Sequence, residues 1–355
     1  MELAAKVSDW TEIPRLAHRH QIQVLVEDAL RRILPVQMSP DSVRKVLAVA
    51  AMRRRLSTLG KIALTRQIAT SFTEADIPVV QLKGPALSQR LYGDCMLRVS
   101  VDIDLLVPWK LLRRAVALLQ GMGYQQRQPL PAVTGWSGLL VRNAYHDCLM
   151  VQQASQVPLE LHWRPGAFSE RIGAEMLNRG CAEPEFGPGA PPQDLEMVDL
   201  LVHGTNHYWV LLKWLSDIQQ AALLRPSAYW EQLASLAGEL KALPALRTTA
   251  LLVHWIYGMR VQTLAAWAAQ ATRWEVHAAQ YALRRLLRPR VLHTGMAGSL
   301  AKTCYRLVSC TPYQITATAL RCLPVVGKRT YYNGLATKLG SRPVNGAYQP
   351  IPPSG

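Results

Sequence analysis

The stretch that decides the fold is LKGPALSQRLYGDCMLRVSVDIDLLV, residues 82–107. It ends in an apolar segment that carries Asp102 and Asp104 two positions apart. Side chains at this spacing share one face of a β-strand, so we predict a strand over residues 101–107 with both carboxylates on one side. Neighbouring carboxylates repel each other unless a cation lies between them, and Mg²⁺ is bound by a few such oxygens together with water and substrate phosphates. Taken alone, an Asp-x-Asp pair is more typical of a solvated strand end.

A lysine and a glycine precede this strand, at the end of another short apolar segment. Residues 79–82 predict a strand, and Lys83 and Gly84 follow it directly. A glycine at a strand-to-helix turn lets backbone N–H groups approach a phosphate, and the helix N-terminus adds partial positive charge. Pro85 suits the first turn of that helix, which we expect to end at Gly93. The order of these elements favours a site for a nucleoside triphosphate with its metal ions.

Helical periodicity flanks this core on both sides. We predict an α+β fold, in which a small mixed β-sheet is flanked by N-terminal and C-terminal helical regions. The predicted boundaries are 1–75 for the N-terminal helical region, 76–180 for the core, 195–300 for the C-terminal helical domain and 301–355 for a basic, poorly ordered tail. Within the core we expect a helix over 109–120 and strands at 146–151 and 157–163. Residues 180–195 read as a linker rich in Pro and Gly, and residues 201–224 as one long amphipathic helix.

The chain has a net charge of +16, and the last 80 residues concentrate much of the excess. No Asp or Glu follows Glu275, whereas eleven Lys and Arg residues do. A second basic group comprises Arg53, Arg54, Arg55, Lys61 and Arg66. Such a positive field attracts polyanions or anionic surfaces, although a solvated, partly disordered tail has the same composition.

Bulk features exclude several classes of protein. No apolar run approaches the ~18 residues of a membrane span, and the first residues carry early acids without the apolar segment of a secretory signal. Six cysteines are scattered without a Cys-x-x-Cys pair, which indicates neither a disulfide framework nor a zinc site. We therefore expect a cytoplasmic protein with reduced thiols.

As a set, the motifs resemble the nucleotidyltransferase superfamily that shares the palm of DNA polymerase beta, and within it a bacterial family of uncharacterised nucleotidyltransferases. The family pattern in the core is met by Lys83, Gly84, Tyr92, Gly93, Asp94, Arg98, Asp102 and Asp104. Further along the chain it is met by Glu160, Leu161, His162, Trp163, His203, His207, Lys213, Trp214 and Asp217. The resemblance covers about residues 75–225. Pro85 departs from it, because the superfamily usually has a small residue such as Ser there, which offers phosphate a hydroxyl and an N–H.

The resemblance implies transfer of a nucleoside monophosphate from a nucleoside triphosphate (NTP) to an acceptor hydroxyl or phosphate, with release of pyrophosphate. Asp102 and Asp104 would hold two Mg²⁺ ions, for which Mn²⁺ is an alternative, and Glu160 would be the third carboxylate. The residues expected to bind the nucleotide are Lys83, Gly84, Arg98 and Lys213. Those expected to line the pocket are Ser100, His162, His203, His207 and Asp217.

The sequence leaves open which molecule accepts the nucleotide and whether the protein catalyses the transfer at all. Relatives are often associated with peptide natural-product gene clusters, including those of lasso peptides, which suggests a modified peptide. A nucleic-acid end such as tRNA, as in toxin-type nucleotidyltransferases, is the competing acceptor, and the acid-free C-terminal residues favour an anion of either kind. A degenerate protein that binds nucleotide or a partner without turnover is a further alternative, although it leaves the retained carboxylates unexplained.

Two histidine motifs are weaker indications of metal binding. His146 and Asp147 resemble the His-Asp pair of metal phosphohydrolases, but their flanks predict a strand and no companion ligands follow. His203 and His207 have the spacing of zinc ligands on a helix, yet Gly204 stands where a zinc protease carries its glutamate base. We interpret this pair as lining or packing residues.

Overall fold

A mixed β-sheet lies at the centre of the computed structural model, which describes residues 7–35, 38–127, 142–166, 170–180, 185–258, 262–287 and 296–310. Its strands are β1 (Val80–Gln81), β2 (Ile103–Leu106), β3 (Tyr124–Gln126), β4 (Asp147–Gln152) and β5 (Pro158–His162). They are ordered β1-β2-β5-β4-β3. β2 and β5 run parallel, and the other neighbouring strands are antiparallel.

Alternation along β2 and β5 gives the sheet two chemically different faces. Ile103 and Leu105 on β2, with Leu159 and Leu161 on β5, are completely buried in one apolar core. That core is closed by the helix after β2 and by the C-terminal end of the long N-terminal helix. Residues of opposite parity, including Asp104, therefore point to the other face.

Helices account for most of the remaining described residues. The N-terminal ones are α1 (Glu12–Arg19), α2 (Gln23–Arg32) and α3 (Asp41–Glu74), and those inserted between the strands are α4 (Gly84–Tyr92) and α5 (Leu112–Gly121), the latter preceded by a 3-10 turn (Trp109–Leu111). After the sheet follow α6 (Glu170–Asn178), α7 (Gln193–Asn206), α8 (Leu212–Leu224), α9 (Ser227–Glu239), α10 (Leu243–Tyr257), α11 (Gln262–Ala269), α12 (Arg273–Leu287) and α13 (Met296–Ser309). The predicted α+β class is confirmed. Among the residues described, no helix combines the length and the apolar character needed to cross a membrane.

The C-terminal helices share a large apolar core with β1 and α4. Trp209 and Trp230 are completely buried in it, and Leu87 and Leu91 of α4 contribute from the strand region. Burying a large apolar side chain contributes roughly 1.5–3 kcal/mol. This shared core therefore holds α7 and α8 against the polar face of β2 and β5.

The prediction of one continuous helix over residues 201–224 is wrong, because the chain turns between α7 and α8. Tyr208 and Trp209 have positive φ angles of 56° and 52°. The Trp209 N–H donates to the carbonyl of Gly204, and its ring folds back onto that glycine. The apolar periodicity continues across the break because the turn residues are themselves buried.

Two elements were not expected, and one boundary differs. β3 and α6 had no counterpart in the sequence prediction. The expected poorly ordered tail is wrong for residues 301–310, because α13 continues to Ser309 and buries Tyr305 and Cys310. Residues 311–355 lie outside the described residues, and the domain boundaries stay a prediction.

Candidate active site

A carboxylate pair and an imidazole meet on the polar face of the two parallel strands. Asp104 of β2 is in register with Glu160 of β5, and His162 follows two residues later on the same face. One ligand atom of each lies within 4.8 Å of the others. His162 Nε2 lies 3.2 Å from Asp104 Oδ1 and 3.6 Å from Glu160 Oε2. This is the group within the described residues whose geometry suits a metal ion.

In this arrangement the imidazole of His162 is the counter-ion of the two carboxylates. Burial by itself lowers the pKa of His162, but hydrogen bonds and charges from Asp104 and Glu160 raise it to about 10. Burial would raise the pKa of Asp104, yet the hydrogen bond from His162 and the charge on Lys83 hold it below its usual value. The cluster thus concentrates negative charge that a cation or a proton on His162 must balance.

Asp102 lies just before β2 and outside the three-residue cluster. Burial and the charges on Asp104 and Glu160 raise the pKa of its carboxyl to about 7. Asp102 lies two residues before Asp104 in the chain, but it is not among the residues whose ligand atoms converge. Its predicted role as a metal ligand stays a prediction.

The loop that carries Asp102 is held by polar contacts from three directions. Ser100 Oγ donates to the Asp102 carbonyl at 2.7 Å. Lys61 Nζ of α3 donates to the Ser100 carbonyl at 2.8 Å, and Lys213 Nζ of α8 donates to the Val99 carbonyl at 3.1 Å. Lys61 was not predicted as a site residue, although it lies on a helix face whose other members are buried.

The Lys-Gly turn lies beside the cluster and is conformationally strained. Lys83 has φ 134°, a value that L-residues rarely adopt and that persists only where the surroundings impose it. Gly84 has φ 77°, and a Cβ there would lie 2.6 Å from the side-chain nitrogen Nε2 of Gln81. The Leu82 N–H donates to the Asp104 carbonyl, which links the turn to β2.

Two residues of α7, one turn apart, contact the Lys83 ammonium. Lys83 Nζ lies 3.1 Å from His203 Nδ1 and 4.0 Å from Asp199 Oδ2. Burial and then the charge on Lys83 hold the pKa of His203 well below its usual value, so the neutral ring accepts the hydrogen bond. Asp199 was missed in the sequence analysis, although its spacing of four from His203 was a usable signal.

Aromatic rings continue the site beyond Lys83. The His203 and His207 ring centres are 4.6 Å apart, and Trp214 of α8 packs edge-on against His203 at 5.3 Å. This packing agrees with the interpretation of the two histidines as lining residues rather than zinc ligands.

Arg98 and Asp217 form a buried ion pair. Arg98 is 3% exposed, and its Nε donates to Asp217 Oδ2 at 2.8 Å. Tyr92 donates its hydroxyl proton to the other Asp217 oxygen at 2.9 Å. Direct contacts of Arg98 and Lys213 with a nucleotide stay predictions. In the structure Arg98 bonds the Asp217 side chain, and Lys213 bonds the Val99 carbonyl.

Comparison with protein families agrees with this geometry. The family described as uncharacterised nucleotidyltransferase matches residues 6–258, well over half of the chain. The chain belongs to this family. A search of curated proteins and a search of solved structures each found no match. The match begins before α1 and ends after α10, so it includes Lys61 as well as the predicted core.

Proposed function

We propose that this nucleotidyltransferase is metal-dependent and moves a nucleoside monophosphate from an NTP to an acceptor hydroxyl or phosphate, with release of pyrophosphate. The observation that carries the proposal is the parallel register of Asp104 and Glu160, with the Lys83-Gly84 turn bonded to the same strand. Family membership supports nucleotidyl transfer, and the geometry supports where it takes place.

The donor set fits a divalent cation that accepts oxygen ligands. Asp104 and Glu160 offer carboxylate oxygens, to which Asp102, two residues before Asp104, would add another, and this donor set suits Mg²⁺ or Mn²⁺. His162 would join the set only after losing its proton, because only a neutral imidazole binds a metal ion. As an imidazole it would suit Mn²⁺ better than Mg²⁺. When bound, one or two such ions would stabilise the charge of the triphosphate and of the leaving pyrophosphate.

Residues of the chain itself would orient the two substrates. The Lys83 ammonium, held by His203 and Asp199, supplies a point charge for phosphate oxygens, and the start of α4 at Gly84 supplies backbone N–H groups. The Glu160 side chain is 36% exposed, which lets it reach an acceptor hydroxyl and take its proton. Pro85 contributes no N–H, so phosphate binding at this turn depends more on Lys83.

For the acceptor we propose an anionic molecule, either a modified peptide or a nucleic-acid end. The support is the excess of positive charge, since no acid follows Glu275 while eleven Lys and Arg residues do. A nucleic-acid acceptor predicts affinity that falls steeply with salt concentration, whereas a small phosphorylated peptide predicts a shallower dependence.

The test is incubation of the protein with each α-³²P-labelled NTP, Mg²⁺ or Mn²⁺, and candidate acceptors of both classes. Label transfer with pyrophosphate release is expected for the wild type and should be lost in Asp104→Asn. Asp41→Asn, a substitution of an exposed aspartate at the start of α3, is the matched control and should retain transfer. Transfer that persists in Asp104→Asn would refute the mechanism, and tight NTP binding without transfer would favour the degenerate alternative.

A further inference from the structure

Two buried lysines from distant parts of the chain donate hydrogen bonds to consecutive backbone carbonyls of one loop. Lys61 comes from α3 and bonds the Ser100 carbonyl, while Lys213 comes from α8 and bonds the Val99 carbonyl. Their ammonium groups have second partners in Ser57 Oγ at 2.9 Å and Gln21 Oε1 at 2.6 Å. Every one of these partners is a neutral oxygen.

This arrangement is costly for the fold. Lys61 is 3% exposed and Lys213 is 6% exposed, whereas lysines are rarely buried unless they are paired with an opposite charge. Within the described residues, no carboxylate oxygen lies within 4.0 Å of either nitrogen. Burial accordingly lowers the pKa of Lys61 to about 8 and that of Lys213 to about 7. An ammonium group buried without a carboxylate at this distance is unusual, which indicates a role besides packing.

The loop that the two lysines bond, residues 99–102, immediately precedes β2 and Asp104. From Ser100 the restraint passes to Asp102, because Ser100 Oγ donates to the Asp102 carbonyl. Unlike Asp104, Asp102 precedes β2 and has no ladder of strand hydrogen bonds to fix its backbone. The two lysines replace that ladder with bonds from helices on either side of the sheet.

We propose that Lys61 and Lys213 are positioning residues, which hold the backbone of residues 99–102 so that the Asp102 carboxylate can join Asp104 and Glu160 in binding a divalent cation. The proposal rests on the metal-dependent function above and adds a part of the chain outside the predicted core. The N-terminal helices thereby become part of the active site through α3.

A positioning role and a charge effect predict opposite results when a lysine is replaced by methionine. Removing a positive charge near a cation site strengthens cation binding, because the repulsion is lost. Removing the hydrogen bond from the lysine to the loop carbonyl weakens cation binding, because the backbone before Asp102 is no longer held in place. The sign of the change therefore distinguishes the two, and methionine keeps nearly the same length and volume.

The test measures Mn²⁺ binding to the full chain by electron paramagnetic resonance, with thermal unfolding followed in parallel. For Lys61→Met and Lys213→Met we expect the affinity to fall by about tenfold, the lower end for residues that orient metal ligands. The melting temperature shows whether each variant is folded at the temperature of the binding measurement, so a loss of affinity in the folded state is separated from a loss of stability. Lys45→Met, an exposed position on the same helix, is the matched control and should leave both values unchanged.

Two further variants keep the test decisive if a methionine variant fails to fold. Lys61→Arg retains charge and donors and should recover most of the affinity, whereas Ser100→Ala removes the bond to the Asp102 carbonyl and should weaken Mn²⁺ binding without touching a charge. Unchanged or tighter binding in the methionine and Ser100→Ala variants would overturn the proposal and leave the proposed function standing. A wild-type protein that binds no Mn²⁺ would refute both.

Discussion

Replacing Asp217 by alanine should destabilise the protein strongly, because it leaves the Arg98 guanidinium buried without its counter-ion. Arg98 is 3% exposed and Asp217 is completely buried, so water cannot replace the lost partner. Breaking a buried ion pair from one side costs about 3–5 kcal/mol, and the Tyr92 hydroxyl loses its acceptor as well. Against a typical total stability of about 5–15 kcal/mol, this is a large fraction.

Urea unfolding followed by far-ultraviolet circular dichroism measures the change in the free energy of unfolding. We expect a loss of about 3–5 kcal/mol for Asp217→Ala and a recovery of most of it in the double variant Arg98→Met/Asp217→Leu, which removes both charges. The double variant should also retain the wild-type KM for NTP, because both side chains are buried and bind each other. A loss below about 1 kcal/mol, together with a raised KM for NTP in Arg98→Met, would show that Arg98 binds nucleotide directly.

Three other predictions concern backbone conformation and pH. In steady-state kinetics, Gly84→Ala should raise the KM for NTP more than Gly93→Ala does. Both glycines have positive φ, but only the methyl group introduced at position 84 would meet a neighbouring side chain. Gly204→Ala should lower the free energy of urea unfolding by about 1–3 kcal/mol, because its Cβ would lie 2.4 Å from the completely buried Trp209 ring; an unaltered value would contradict the turn described above. Burial, followed by the charge on Arg19, lowers the pKa of His20 from 6.5 to about 4, so the unfolded state binds the proton more readily and stability falls as the pH drops from 6.5 to 4. His20→Gln should flatten this part of the stability profile by up to about 3 kcal/mol, and identical profiles for the two proteins would refute the assignment.

Local sequence was sufficient for the elements whose pattern is short-range. The alternation in residues 101–107 predicts a strand, which the structure contains as β2 with Asp104 on it, whereas Asp102 lies just before the strand. The Lys-Gly-Pro order predicts the start of α4, which the structure also contains. The break between α7 and α8 was missed because Trp209 is apolar and buried, so the helical period continues through residues that are not helical. β3 was missed because three residues are too few to show an alternation, and α6 was missed although its nine residues carry an amphipathic pattern.

The composition of the site was predicted in part. Asp104, Glu160, Lys83 and Gly84 were expected, and the structure places them around the strands β2 and β5. That His162 Nε2 lies between the Asp104 and Glu160 carboxylates was not predicted, because it depends on how two strands pair. The ion pair of Arg98 with Asp217 was not predicted either, because it joins residues 119 positions apart. A single sequence contains no signal for such distances.

Residue type and spacing therefore determined the chemistry available to this protein: two aspartates at the start of a strand segment, a cation and a glycine at a turn, and a basic C-terminal region. Only the tertiary structure decided which of these groups face one another, and it brought Lys61 and Lys213 to the loop before Asp102. The physical reason is that a strand's period of two and a helix's period of 3.6 set each face locally, whereas packing of the shared apolar cores sets which faces meet.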